Sequence, residues 1–186
     1  MPLRSDTRRW GGVTKLLHWT VALLVIVLLG VGLWMIDLPI SPDKVRVYAL
    51  HKSVGITVLG LMLVRIAWRA IERSRPKLPF GMPVWQRGAA RLSHVLLYAA
   101  LLVMPLSGWL FNSAANFPLQ WFGWLSLPAL SGPDPELKTI ARAVHHWTAY
   151  TLITLVSLHV LAALKHHWFD RDDTLRRMLP GRSSRR

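Results

Sequence analysis

The chain of 186 residues contains no cysteine. That absence excludes disulfides, Cys-ligated iron–sulfur clusters, zinc-thiolate sites and the covalent attachment of c-type haem. Any cofactor must be held by histidine, methionine, carboxylate or backbone. Acidic residues are scarce as well, 9 Asp and Glu against 23 Lys and Arg, and none falls inside the long apolar runs. Closed metal sites usually gather three or four ligands in one cluster, so a histidine-metal transporter ranks low. No A-x-A-like cleavage site follows MPLRSDTRRWGGVTK, and the next apolar run is longer than a signal-peptide core, so this segment reads as a retained first span. With no internal repeat and no compositional break, residues 1–186 read as one four-span unit.

What the chain does have is apolar bulk. It is 52% hydrophobic, with mean hydropathy +0.32 in spite of a net charge of +14. Very apolar segments must therefore alternate with very basic ones, which is a membrane composition. Spans are expected over residues 16–36, 48–70, 89–114 and 141–168, each long enough to cross about 30 Å of hydrocarbon. Pro105 lies inside the third, where a proline is tolerated as a kink. The connection 115–139 carries Trp121, Phe122 and Trp124 beside prolines. It reads either as an interfacial segment with aromatics at headgroup level or as an ordinary packed loop.

Between these spans the basic residues sort by side. Lys44, Arg46, Lys52, Lys138 and Arg142 fall on one side, and every other Lys and Arg falls on the other. By the positive-inside rule both termini, the second connector and the basic tail 169–186 are cytoplasmic. The basicity is then topological, and no nucleic-acid partner is needed to explain it.

Histidines are the ionisable groups to weigh, because hydrocarbon offers them no solvation and a bundle must supply a partner. On the periplasmic side lie His51 and either His145 or His146. Toward the cytoplasm lie His18, His94 and His159, with His166 and His167 as further candidates. His145 and His159 are fourteen residues apart, which on a helix is roughly 21 Å along the axis and within about 40° of the same face. Two layers, each with histidines from different helices, are what two bis-histidine haems across a bilayer require. Without cysteine, haem b held non-covalently is the natural cofactor.

Neighbouring residues fit that pattern. Gly55 and Gly108 share faces with His51 and His94, leaving room for a porphyrin or for close helix packing. Arg65 shares the His51 face at the inner depth, where it would pair with a haem propionate or snorkel to headgroups.

These segments together resemble the prokaryotic cytochrome b561 family. The matching residues are KLLHW around His18, ALHKSVG around His51, RLSHVLLY around His94, the stretch from Val144 to His159, and the ending LKHHWFDRDDTLRRMLP. The resemblance covers nearly the whole chain. It implies an all-α, integral membrane four-helix bundle in the bacterial inner membrane, both termini cytoplasmic, with two haems b stacked across the bilayer. It implies further that His51 and His145 ligate the periplasmic haem, and His18 and His159 the cytoplasmic one. For His94 it leaves a ligand, a propionate contact or a mere neighbour open.

Small free-standing members resemble superoxide oxidases, which take an electron from superoxide outside and reduce ubiquinone. Others anchor a partner dehydrogenase or hydrogenase and exchange electrons with quinone. The compact chain favours the free-standing kind as the expectation. His166, seven residues after His159, would lie roughly 10 Å farther inward and close to the same face. It is the candidate to hydrogen-bond a quinone carbonyl or deliver a proton, with an interfacial histidine among headgroups as the plain alternative.

Overall fold

A computed structural model describes residues 3–7, 9–72, 74, 76 and 82–179. Much of the basic connector expected between the second and third spans, and residues 180–186 of the expected tail, lie outside the described residues. The described chain forms four long helices: α1 (Gly12–Trp34), α2 (Pro42–Ile71), α3 (Val84–Ala114) and α4 (Pro135–Trp168). Each is long and apolar enough to cross a membrane. A two-stranded antiparallel hairpin, β1 (Leu119–Trp121) and β2 (Leu125–Leu127), stands between α3 and α4, and a short helix α5 (Thr174–Met178) follows α4.

Helix starts explain why α2 and α4 begin earlier than hydropathy alone suggests. Ser41 precedes Pro42 and accepts from the Lys44 N–H; Asp134 precedes Pro135 and accepts from the Glu136 and Leu137 N–H groups. An oxygen-bearing cap followed by proline satisfies orphan donors and presets φ for the first turn. Both helices are therefore capped several residues before their apolar stretches begin.

The core is small and central. Val21 and Val25 of α1, Val58 and Met62 of α2, Leu97, Ala100 and Leu101 of α3 and Leu152 of α4 form one buried cluster. Met62 and Leu152 are almost wholly enclosed. Outward-facing Leu23, Ile26, Leu63, Val64, Val95, Leu158 and Leu161 are exposed. Such an apolar exterior suits lipid, where helices satisfy their own backbone groups.

The connection 115–139, expected either as an interfacial segment or as an ordinary packed loop, is packed. Its hairpin is stitched onto the ends of α2 and α3. The Phe122 N–H donates to Ser53 Oγ at 3.0 Å, Trp121 Nε1 donates to Thr57 Oγ1 at 3.0 Å, and Trp109 Nε1 donates to the Pro128 carbonyl at 3.0 Å. Phe122 and Gly123 both have positive φ, 51° and 76°, the backbone of a tight hairpin turn. Left-handed φ is uncommon for phenylalanine, and the Ser53 bond holds it there. Trp124 at the tip remains 88% exposed.

At the other end of the bundle the N-terminal segment folds back on α2. Glu72, buried, accepts from the Ser5 N–H at 2.8 Å and from Thr14 Oγ1 at 3.1 Å. Trp68 Nε1 donates to Thr14 Oγ1. Lys15 Nζ donates to the Leu179 carbonyl at 2.9 Å, and Trp19 Nε1 to the Met178 carbonyl at 2.8 Å. First and last described segments are thus tied together.

Candidate functional site

The outer histidines come from α2 and α4. His145 Nδ1 lies 2.9 Å from the Met104 carbonyl of α3, with Ser107 Oγ at 3.2 Å. A carbonyl only accepts, so the proton sits on Nδ1 and Nε2 keeps a free lone pair. That is the tautomer a metal-ligating imidazole needs. Gly108, one turn after Met104, makes the approach possible: a Cβ there would stand 3.0 Å from His145 Cε1. Gly108, expected to leave room for a porphyrin or for close helix packing, lies against His145.

His51 has a similar partner on α1, where a Cβ on Gly32 would be 3.3 Å from His51 Cε1. Its Nδ1 is buried and has no hydrogen-bond partner in the protein. Buried polar atoms are rarely left so, which points to a further group meeting this ring. A methyl added at Gly55, by contrast, would meet nothing within 4 Å, so the space over the His51 face is open. His146 points away, its ring packed 5.0 Å from Tyr150, and it does not join this group.

Three imidazoles converge in the inner layer. His159 of α4 has its ring centroid 6.3 Å from His18 of α1 and 5.6 Å from His94 of α3, both edge-on. Arg65 of α2 donates to His18 Nδ1 at 3.1 Å, so that ring carries its proton on Nε2. Tyr98 lies beneath two guanidinium groups, Arg65 at 5.2 Å and Arg69 at 5.7 Å, within cation–π range. Leu152, midway between His145 and His159 on α4, lies in the apolar core that separates the layers.

Farther along, His166 sits in the last turn of α4. Its Nδ1 is 2.7 Å from Asp172 Oδ2 and 3.0 Å from Asp170 Oδ2. The three donor atoms lie within 4.8 Å of one another, but each contact has hydrogen-bond length and Lys165 Nζ already occupies Asp170 at 2.7 Å. The cluster is a hydrogen-bonded network. Burial pushes the Asp172 carboxyl up, yet hydrogen bonds from Thr174 and His166 outweigh it and hold the group below its ordinary 3.8.

Donor chemistry narrows the possibilities. Paired imidazoles from separate helices, without cysteine or carboxylate between them, suit haem iron better than zinc or calcium. A family model described as prokaryotic cytochrome b561 matches residues 9–181. The chain belongs to that family. "Cytochrome b561 homolog 2" of Escherichia coli (strain K12) is 36% identical over 185 residues, covering 99% of this chain and 97% of the relative. "Cytochrome b561 homolog 1" of the same organism is 33% identical over 132 residues, 71% of this chain and 74% of the relative. A protein named "Probable superoxide oxidase CybB" from Yersinia pestis is 30% identical over 168 residues, 88% of this chain and 92% of the relative. Membership makes this chain a multi-pass bacterial membrane protein of transmembrane electron transfer, with haem b as its cofactor.

Several site residues escape the histidine pattern. Gly32, Ser107, the Met104 carbonyl and Asp172 each touch a candidate histidine from another element or across a turn. Only Asp172 has a nearby signal: an acid-rich run, FDRDD, directly after the paired histidines.

Proposed function

We propose that this single four-span unit, with both termini cytoplasmic, takes electrons from superoxide at its periplasmic face and passes them to ubiquinone near its cytoplasmic face. One observation carries the reading: two groups of imidazoles, each drawn from different helices, lie on either side of one apolar core. In this reading His51 and His145 hold the outer of two haems b, and His18 and His159 the inner. Bound there, the haems supply one-electron redox chemistry.

The chain's own groups do the rest. The Met104 carbonyl keeps His145 in the ligating tautomer. His18 would hold a haem iron through Nε2 only with its proton on Nδ1 instead, and Arg65 would then be free to pair with a propionate. Lys44, Lys52, Lys138 and Arg142 attract a small anion to the outer face, whereas Arg46 is partly neutralised by Asp43 at 3.2 Å. Lys52, next to His51, is aimed by Asn112 Oδ1 at 3.2 Å. His166 stands inward of His159 to meet quinone oxygen and supply a proton. The name of the Yersinia relative supports superoxide as donor.

Haem content and superoxide kinetics test this directly. Purified protein should give a b-type pyridine haemochrome at two haems per chain, and superoxide should drive ubiquinone reduction by the protein alone. His145→Ala should lose roughly half the haem and all superoxide-driven reduction. Full haem retention in that variant would remove His145 from the ligand set. The two relatives of higher identity carry only the cytochrome name, which keeps a second reading in view: an anchoring cytochrome for a partner dehydrogenase or hydrogenase. That alternative is favoured if superoxide fails to reduce the haems and a partner subunit co-purifies.

A further inference from the structure

The turn after α4 is built to bring carboxylates to one imidazole. Arg171 takes a positive φ of 53°, and the Asp172 N–H donates back to the His166 carbonyl at 3.0 Å. This reversal places Asp172 Oδ2 2.7 Å from His166 Nδ1, with both side chains only 16% exposed. The other oxygen, Asp172 Oδ1, accepts from the Thr174 N–H at 2.8 Å at the start of α5. The carboxylate is clamped at both oxygens. Asp170 also reaches Nδ1, at 3.0 Å, but Lys165 Nζ grips both its oxygens at 2.8 and 2.7 Å. Asp172 is therefore the acid left to act on the ring.

From this geometry we propose that Asp172 is a positioning residue for quinone protonation: by accepting from His166 Nδ1–H it leaves Nε2 as the nitrogen that gives a proton to quinone oxygen. The inference rests on the reading of a ubiquinone site near the inner histidines. Reducing a quinone to a quinol consumes two electrons and two protons, one O–H bond forming at each oxygen. The electrons are those taken from superoxide, which leaves as dioxygen. At one oxygen, the Nε2–H bond of the His166 imidazolium, which carries a proton on each nitrogen, breaks as the new O–H forms; the ring is left neutral with its proton on Nδ1, held by Asp172, and Nε2 is reprotonated from cytoplasmic water. The other oxygen takes its proton from water. An ionised carboxylate accepts only, so it cannot let Nδ1 compete for the role.

The charged and titratable groups around the ring are Asp170 and Asp172 on the turn and Lys165 and His167 on α4, with Arg171 and Asp173 flanking them. Arg176 and Arg177 lie on α5, and Lys15 of α1 is tied to Leu179. A shift in pH profile must therefore be read against variants of this set, with Lys165→Gln as the control for Asp170.

The test uses the full chain with its haems in lipid nanodiscs. Reduced protein is mixed with a short-chain ubiquinone between about pH 5 and pH 9, and reoxidation is followed optically. Asp172→Asn and His166→Gln should each lower the maximal rate about tenfold or more, with quinone KM changed less than about twofold. Asp172→Glu should restore most of the rate, and Asp172→Asn should flatten the pH profile. Nitrogen-15 NMR of histidine-labelled wild type should show the Nδ1 proton on His166. A neutral His166 ring with its only proton on Nε2 in the wild type would overturn the proposal whether or not any variant folds. So would Asp172→Asn with the wild-type rate and pH profile. Wild type that quinone cannot oxidise would instead overturn the quinone reading, and with it this role, a failure visible before any variant is made.

Discussion

Gly108 and Gly32 each press against an imidazole that belongs to another helix, so their substitution acts through a ring rather than through α3 or α1. Gly108→Ala brings a methyl within 3.0 Å of His145 Cε1 and 3.1 Å of Nδ1. The ring must shift, losing its bond to Met104, at a cost of about 1–3 kcal/mol for overpacking. Outer-haem content should fall clearly in Gly108→Ala and less in Gly32→Ala, where the contact is 3.3 Å, as read from haem absorbance per chain. Gly55→Ala meets no protein atom within 4 Å and should leave helix content intact, so haem lost from that variant reports on what occupies the open space. These glycines were hard to read from sequence for a physical reason. Spacing along one helix gives the face a residue occupies, whereas contact across helices depends on their mutual rotation.

Asp172 carries the clearest pH dependence outside the spans. Its folded-state value lies below the ordinary 3.8, so its bonds to His166 and Thr174 contribute their full stabilisation above that value. The contribution is lost as pH falls through the lower folded value. Docking of α5 should accordingly persist at pH 5 and loosen only under stronger acid, which amide exchange at Thr174 and Leu175 measures. His166 itself was legible in the sequence, as one of a pair closing an apolar span. Its partner was not, because the left-handed turn at Arg171 has no glycine to announce it.

Among the elements, the four helices were the most legible, since a run of apolar residues long enough to cross hydrocarbon has few other uses. Their starts were also written in the chain, as Ser41-Pro42 and Asp134-Pro135. The hairpin was not. Its aromatic and proline content fits both an interfacial segment and a packed loop, and the partners that decide between them sit more than sixty residues away on α2. Ser53 is the hinge of that contact: its Oγ lies 2.8 Å from the Ala49 carbonyl and 3.2 Å from that of Gln120, and it accepts from the Phe122 N–H. Ser53→Ala leaves a strained Phe122 amide unsatisfied, a cost of about 1–3 kcal/mol. Faster protease cleavage near Gly123, with helix content unchanged, is the expected result.

For the molecule as a whole, charge sorts along the sequence, and the face that the proposed function makes the outer one carries few cations, Lys44, Lys52, Lys138 and Arg142 among them. If these guide superoxide, the bimolecular rate should fall several-fold as ionic strength rises from about 0.01 M to 0.15 M, because the Debye length shrinks from about 30 Å to about 8 Å. A salt-independent rate would assign those cations to topology alone. Under the proposed function, the quinone step should show no comparable dependence, since its substrate is uncharged.

The latch between α1 and the residues ending α5 also sets a clock. Lys15 and Trp19 bind carbonyls 164 and 159 residues later, at Leu179 and Met178. At about 5–20 residues per second of synthesis, those donors on α1 wait roughly 10–30 s before their partners emerge. Throughout that interval the first helix is already long enough to enter the bilayer while its inner rim stays unfastened. This joint can therefore close only after residue 179 has been made, long after α1 is available to the bilayer.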